Sequence, residues 1–177
     1  MKTSKQATLL LIVITMICSC NKIDELTEFD VTDGFSTTMN ISVTGESSEP
    51  QIFSEAVTVD ISTNQDIQDN LDLIQDININ SLTYEVSNFA GTENTTVTNA
   101  SLSFDTIRID IENINLQQAD TANTIYTITD STKLRDIAAI LKSSASVTAT
   151  LEGTVSDTPV IFDVIINLNL TATVDVL

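Results

Sequence analysis

Along most of the chain, apolar and polar residues alternate one by one, the period that turns successive side chains to opposite faces of a strand. Met39, Ile41 and Val43 alternate with Asn40, Ser42 and Thr44, and Val57, Val59 and Ile61 with Thr58, Asp60 and Ser62. Ala145, Val147, Ala149, Leu151, Gly153 and Val155 share one parity against Ser146, Thr148, Thr150, Glu152 and Thr154. Each run predicts a strand with one buried face. Ser156-Asp157-Thr158-Pro159 has the residue types of a turn, and beyond it Val160, Phe162, Val164, Ile166, Leu168, Leu170, Ala172, Val174 and Val176 again share a parity. The two runs read as a hairpin whose second strand is on the order of 55 Å long. Such a strand has to bend, change sheet or protrude, because ordinary strands have about five or six residues.

Two runs lose parity midway. Ile77 and Ile79 are odd while Leu82, Tyr84 and Val86 are even, which predicts a bulge or kink near Asn80-Ser81. Leu102 and Phe104 slip in the same way against Ile107, Ile109 and Ile111, near Asp105-Thr106. Helical spacing occurs twice. Leu134, Ile137, Ala138 and Leu141 follow i, i+3, i+4, i+7 behind Asp130, Ser131 or Thr132 as cap, with Lys142 near the negative end. Between Asn64 and Asp76, Ile67, Leu71 and Ile74 make a weaker pattern among residues of low helix propensity. The stretches Gly91 to Asn99 and Gln117 to Asn123 read as loops.

Strand, short helix, strand thus occurs over Val57 to Val86 and again over Ile125 to Val155, a repeat of topology without matching residues. The expected fold is mainly β: an antiparallel two-sheet β-sandwich of Ig-like or Greek-key type, with one or two short helices crossing its ends. A partly closed β-barrel is the alternative.

Composition narrows the chemistry. The 177 residues include 25 acidic and seven basic ones, for a net charge of −18. A surface of that sign repels phosphates, which argues against a nucleic-acid partner. There is no histidine, and the two cysteines are Cys18 and Cys20. Ser-His-Asp and Cys-His catalytic sites are therefore excluded, together with ordinary zinc sites. Gly34, Gly45, Gly91 and Gly153 are too far apart for a phosphate loop. Paired carboxylates for glycoside hydrolysis would normally come with a cleft of aromatic rings, and the chain has no tryptophan. The chain is not expected to be an enzyme. Asp66, Asp69 and Asp72, with Asp76, Asn64 and Asn70, are candidate calcium ligands, although they lack the spacing of a calcium loop and read better as a solvated acidic face.

The chain begins MKTSKQATLLLIVITMICSCNK. Lys2 and Lys5 precede an apolar run from Ala7 to Ile17, broken by Thr8 and Thr15, in the layout of a secretory signal. A Cys18–Cys20 disulfide would close a strained ring. Ile17-Cys18-Ser19-Cys20 resembles the lipobox of bacterial lipoproteins. The resemblance implies that residues 1–19 are cleaved and that Cys20 is lipidated, carrying covalent diacylglycerol and an acyl chain as the only cofactor-like group. Cleavage removes two of the seven basic residues and none of the 25 acidic ones, leaving a net charge of −20. Asp24, Glu25, Glu28, Asp30 and Asp33 then crowd behind Cys20. This stretch resembles the acidic export tether of surface lipoproteins in the Bacteroidetes group, and residues 20–35 are expected to be a flexible tether ahead of a single domain over residues 36–177.

Asp105-Thr106-Ile107, Asp120-Thr121-Ala122 and Asp130-Ser131-Thr132 resemble the O-glycosylation signal of exported proteins in that group. The resemblance implies Thr121, in an expected loop, and then Thr106 as modified residues; Ser131 reads better as a helix cap. The expected location is the outer membrane, on its periplasmic face or at the cell surface, with the membrane itself as first partner. Two functions fit. One is a non-catalytic accessory or structural subunit of an outer-membrane assembly, which calls for a broad apolar patch, for example along the C-terminal hairpin. The other is an extracellular module binding a glycan or another protein, with or without calcium, which calls for a concave face with clustered acids and Tyr84 or Tyr126 exposed.

Overall fold

The computed structural model describes residues 28–47 and 49–175. The signal segment, Cys20 and the start of the acidic stretch lie outside the described residues. Within them the alternating runs form β1 (Glu28–Ser47), β2 (Gln51–Asp60), β3 (Ile74–Ala90), β4 (Thr96–Phe104), β5 (Ile107–Ile111), β6 (Ile114–Asn115), β7 (Ile125–Thr127), β8 (Ser146–Val155) and β9 (Thr158–Asp175). A long sheet has the order β1-β9-β3-β7 and a short one β2-β8-β4-β5, with β6 paired to β4. Among the described residues no ladder joins the sheets, so this is a two-sheet antiparallel sandwich and not a closed barrel.

The pairing is nested. β4 pairs with β5 across Asp105-Thr106, then β3 with β7, β2 with β8 and β1 with β9, each antiparallel. A single long hairpin folded over on itself in this way is a jelly roll, the Greek-key member of the two connectivities considered.

β8 and β9 are consecutive in the chain yet lie in different sheets, so Ser156 and Asp157 form a crossing and not the tip of a hairpin. The reason is that both strands carry a complete apolar parity. Facing each other across the core buries both sets, whereas lying side by side would leave the common face in need of another cover. The even residues of β9 from Val160 to Val174 are all buried. β9 neither bends away nor protrudes, because β1 and β3, with 20 and 17 residues, flank its 18 almost throughout.

That pairing corrects the tether boundary. Residues 28–35 are not a spacer: Glu28 to Phe35 pair residue by residue with Asp175 to Leu168. Their own alternation places Val31 in the core, while the outward Asp30 accepts a 2.7 Å hydrogen bond from Thr173 Oγ1.

The slip at Asn80 is a bulge in β3 between Ile79 and Ser81. Asn80 Nδ2 donates to Asn169 Oδ1 at 2.9 Å and to Thr171 Oγ1 at 3.0 Å, holding the displaced residue on the outer face. The second slip is different from the one expected. Asp105-Thr106 is a two-residue turn between two strands, with Phe104 opposite Ile107 and Asp105 at φ +49°.

Of the helical stretches, α3 (Ser131–Ser144) is capped by Asp130, whose Oδ1 accepts from the backbone N–H of Thr132 and Lys133. Ile137, Ala138 and Leu141 are buried. α3 runs back along β3, tied by Ile128 N–H to Leu82 O at one end and by Lys142 Nζ donating to Gln75 O at the other. The second stretch makes only α1 (Gln65–Gln68) between two 3-10 turns, Ile61–Thr63 and Leu71–Leu73. Asn70 Nδ2 bonds Asp66 O and ends the helix, and Ile74 opens β3 opposite Val174. Residues 117–123 are no loop either: α2 (Leu116–Thr121) forms because Asn115 Oδ1 caps Gln118 N–H and Leu116 and Ala119 are buried. Of residues 91–99, positions 96–99 belong to β4. Each strand, helix, strand unit crosses between the sheets, β2 to β3 one way and β7 to β8 the other.

Candidate functional site

Cys20, the lipidation residue, lies outside the described residues. Asp66, Asp69 and Asp72 are all exposed, on α1, just after it and on the following 3-10 turn; Asp76 is exposed on β3. Asp69 Oδ1 accepts from Gln65, and among the described residues no three acidic side chains converge as a metal would need. The calcium candidates are thus not brought together. Thr106 is exposed at the tip of the β4–β5 turn, and Thr121 is exposed at the end of α2 rather than in a loop.

The structure assembles a different set of residues at the edge where β5 and β7 end their sheets. Tyr84 on β3 stands opposite Tyr126 on β7. Both continue the inward parity, so the pair fills the mouth of the sandwich. Their rings stack at 5.0 Å between centroids with 10° between planes. Ile109 and Ile111 of β5 approach from the short sheet, and the segments 110–114 and 127–130 rim a cavity of about 440 Å³. A small apolar pocket behind it shares Tyr84, Ile111 and Ile114 and leads towards Phe162.

Burial, Tyr126 and the carboxylate of Glu112 raise the Tyr84 phenol from its ordinary value to about 12. Burial also raises Tyr126. Both rings are therefore neutral hydrogen-bond donors at physiological pH. Among the described residues neither hydroxyl has a hydrogen-bond partner, and the side chains of Glu112, Asn113 and Lys133 on the rim make no hydrogen bond or ion pair either. Two other acids on the rim are occupied: Asp110 pairs with Arg108 at 3.0 Å, and Asp130 caps α3.

The arrangement thus offers the half-buried Tyr126, backed by a Tyr84 that is itself buried, and apolar walls beneath a rim where Glu112, Asn113 and Lys133 have side chains that no other described residue engages by hydrogen bond or ion pair. It suits a ligand having both carbon–hydrogen surface and hydroxyls. Tyr84 and Tyr126 were visible in the sequence as the chain's two tyrosines. Glu112 and Asn113 were not singled out, although they interrupt the run Ile107, Ile109, Ile111 before Ile114 and so mark the rim.

No protein-family model matches the chain, and no curated protein matches it. Solved structures similar to it are capsid proteins and viruses. The decameric BFDV capsid protein is 8% identical over 81% of this chain and 99% of that one, with a TM-score of 0.39. Desmodium yellow mottle tymovirus is 10% identical over 84% of each chain, with a TM-score of 0.33. Tobacco necrosis virus is 10% identical over 82% of this chain and 96% of that one, with a TM-score of 0.33.

Proposed function

We propose that the chain is a non-catalytic lipoprotein of the outer membrane, anchored by lipid on Cys20, whose jelly roll is a glycan-binding module. The observation that carries the binding reading is the Tyr84–Tyr126 stack at the mouth of the sandwich, whose two hydroxyls have no hydrogen-bond partner among the described residues, with the Glu112 carboxylate near Tyr84. Sugar rings present axial carbon–hydrogen groups to aromatic faces and hydroxyls to carboxylates and amides, and both kinds of wall are here. The absence of histidine from the sequence supports a role without catalysis.

The accessory-subunit reading ranks second. β9, the strand named to carry a broad apolar patch, lies between β1 and β3 with its apolar parity buried. Its outward face carries Ile161 and Ile165 but is otherwise polar, with Asp163, Asn169, Thr171 and Thr173 hydrogen-bonded to neighbouring strands.

A glycan array probed with the lipid-free mature chain, followed by titration with the best oligosaccharide, tests the module. Signal that is lost in Tyr126→Ala is the expected result; a blank array, with and without calcium, would count against it. The anchor is tested separately by following Cys20→Ala, which should remain unprocessed and leave the membrane fraction.

A further inference from the structure

The anchor and the fold together orient the domain. Glu28, where β1 begins, is eight residues beyond Cys20, a reach of no more than about 29 Å even when fully extended. β1 starts opposite the end of β9, at Glu28–Asp175, and β3 starts at the same end, with Ile74 opposite Val174. One end of the long sheet is therefore kept within that reach of the lipid.

That end is apolar. Phe29, Val174 and Ile74 form a row across three strands, about 10 Å wide at ordinary strand spacing. Val174 is fully buried, while Phe29 is 41% exposed, and Leu71 and Leu73 on the turn that leads into Ile74 are 37% and 38% exposed. Among the described residues the exposed large apolar side chains number six, and three of them lie here. The other three, Ile52, Ile125 and Ile161, are on different strands away from this end.

We infer that Phe29, Leu71 and Leu73 form a second membrane contact, seating this end of the jelly roll on the lipid surface. The inference rests on the anchor at Cys20. A short tether raises the local concentration of its attached group to the millimolar range, so a contact too weak to hold alone becomes populated. The charges around the patch select the lipid. Glu28, Asp69, Asp72 and Asp76 are exposed beside it and outnumber the one cation there among the described residues, Lys142, whose Nζ donates to Gln75 O, so the surroundings repel anionic headgroups and the contact is with zwitterionic lipid. The strands then stand away from the bilayer, and the tyrosine cleft, about ten residues further along β3 than Ile74, lies on the order of 30 Å above it.

The chain has no tryptophan, so one introduced tryptophan reports its own surroundings. Lipidated Leu73→Trp and Phe29→Trp would be placed in phosphatidylcholine vesicles carrying acyl-brominated lipid, with Ile52→Trp as control, since Ile52 is 83% exposed near the opposite end. Expected is quenching of the first two several-fold above the control, falling when anionic phosphatidylglycerol is added. Chain that floats with vesicles but shows equal quenching at all three positions overturns the contact and leaves the anchor standing. Chain that does not float overturns both. Protection of Leu73→Trp from acrylamide in the non-lipidated chain, without vesicles, would assign the patch to residues 21–27 or 176–177 instead and overturn the lipid contact.

Discussion

Tyr84 and Tyr126 are register partners on β3 and β7, stacked face to face at 5.0 Å, and they are the only two tyrosines in the chain. β7 has three residues and meets β3 only at positions 83–85, so the ring pair holds much of that short strand to the sheet. Tyr126→Ala should lower stability by about 1 kcal/mol beyond the loss of buried area and should weaken oligosaccharide binding. Tyr126→Phe keeps the stack and should recover most of the stability but not the binding. Urea denaturation of both variants beside ligand titration separates the two effects.

The same pair predicts an alkaline limit. In the fold, Tyr84 ionises at about 12 instead of its ordinary 10.0, because burial, Tyr126 and Glu112 disfavour the anion. A pKa raised by folding means that the folded state holds the proton more tightly. The corresponding stabilisation is complete below pH 10 and is lost as pH rises towards 12. Tyrosinate absorbance should therefore rise late, and the urea midpoint should fall across that window. Ionisation of both phenols at pH 10 with an unchanged midpoint would show the stack to be open to water.

Gly153 is required for packing rather than for backbone freedom. A Cβ built there lies 3.0 Å from Phe53 Cε1 and 3.1 Å from Ala100 Cβ. Phe53 is itself set edge-on to Phe162 at 5.7 Å across the core, so it has little room to retreat. Gly153→Ala should destabilise by about 1–3 kcal/mol, measured by thermal or denaturant unfolding. A neutral result would mean that Phe53 can turn aside.

Asp105 should show separable effects of backbone and side chain. It sits at φ +49° in the β4–β5 turn, its N–H donates to Thr148 O at 2.8 Å, and its Oδ1 accepts from Thr148 N–H at 3.0 Å. Asp105→Gly keeps the left-handed conformation and loses the side-chain bond, at about 1 kcal/mol. Asp105→Val loses the bond and adds strain at positive φ, and should cost clearly more.

Asp130→Ala removes the cap of α3 and leaves two N–H groups without their acceptor. A loss of about 1 kcal/mol is expected, and Asp130→Asn should restore most of it. Circular dichroism with chemical denaturation tests both.

Parity carried most of the fold in the sequence. β8 and β9 were legible residue by residue, as was the bulge at Asn80, because a one-residue slip moves every later side chain to the wrong face. Partnership was not legible. The same alternation suits a strand beside its neighbour or facing it across the core, so the joining of β8 to β9 by a sheet crossing had no local signal. Glu28 to Phe35 was obscured for another reason: its charge suggested a solvated spacer, while Val31 and Phe35 already alternated beneath it. α2 was hidden by polar composition, its helix depending on Asn115 as cap and on only Leu116 and Ala119 facing inward. At the candidate site the tyrosines were visible as residue types. Their meeting depends on a three-residue strand that no pattern of that length can announce.

The nested order of strands also fixes a sequence of events. β1 finds its partner in β9, more than a hundred residues later, and among the described strands only β4 with β5 and β6 closes over a short stretch of chain. A chain made from its amino end must keep the longest edge of its larger sheet unpaired until the last strand is available. Topologies so rich in non-local pairs belong to the slow-folding class, and a product cut short before β9 leaves β1 without its ladder and β3 with only the three residues of β7.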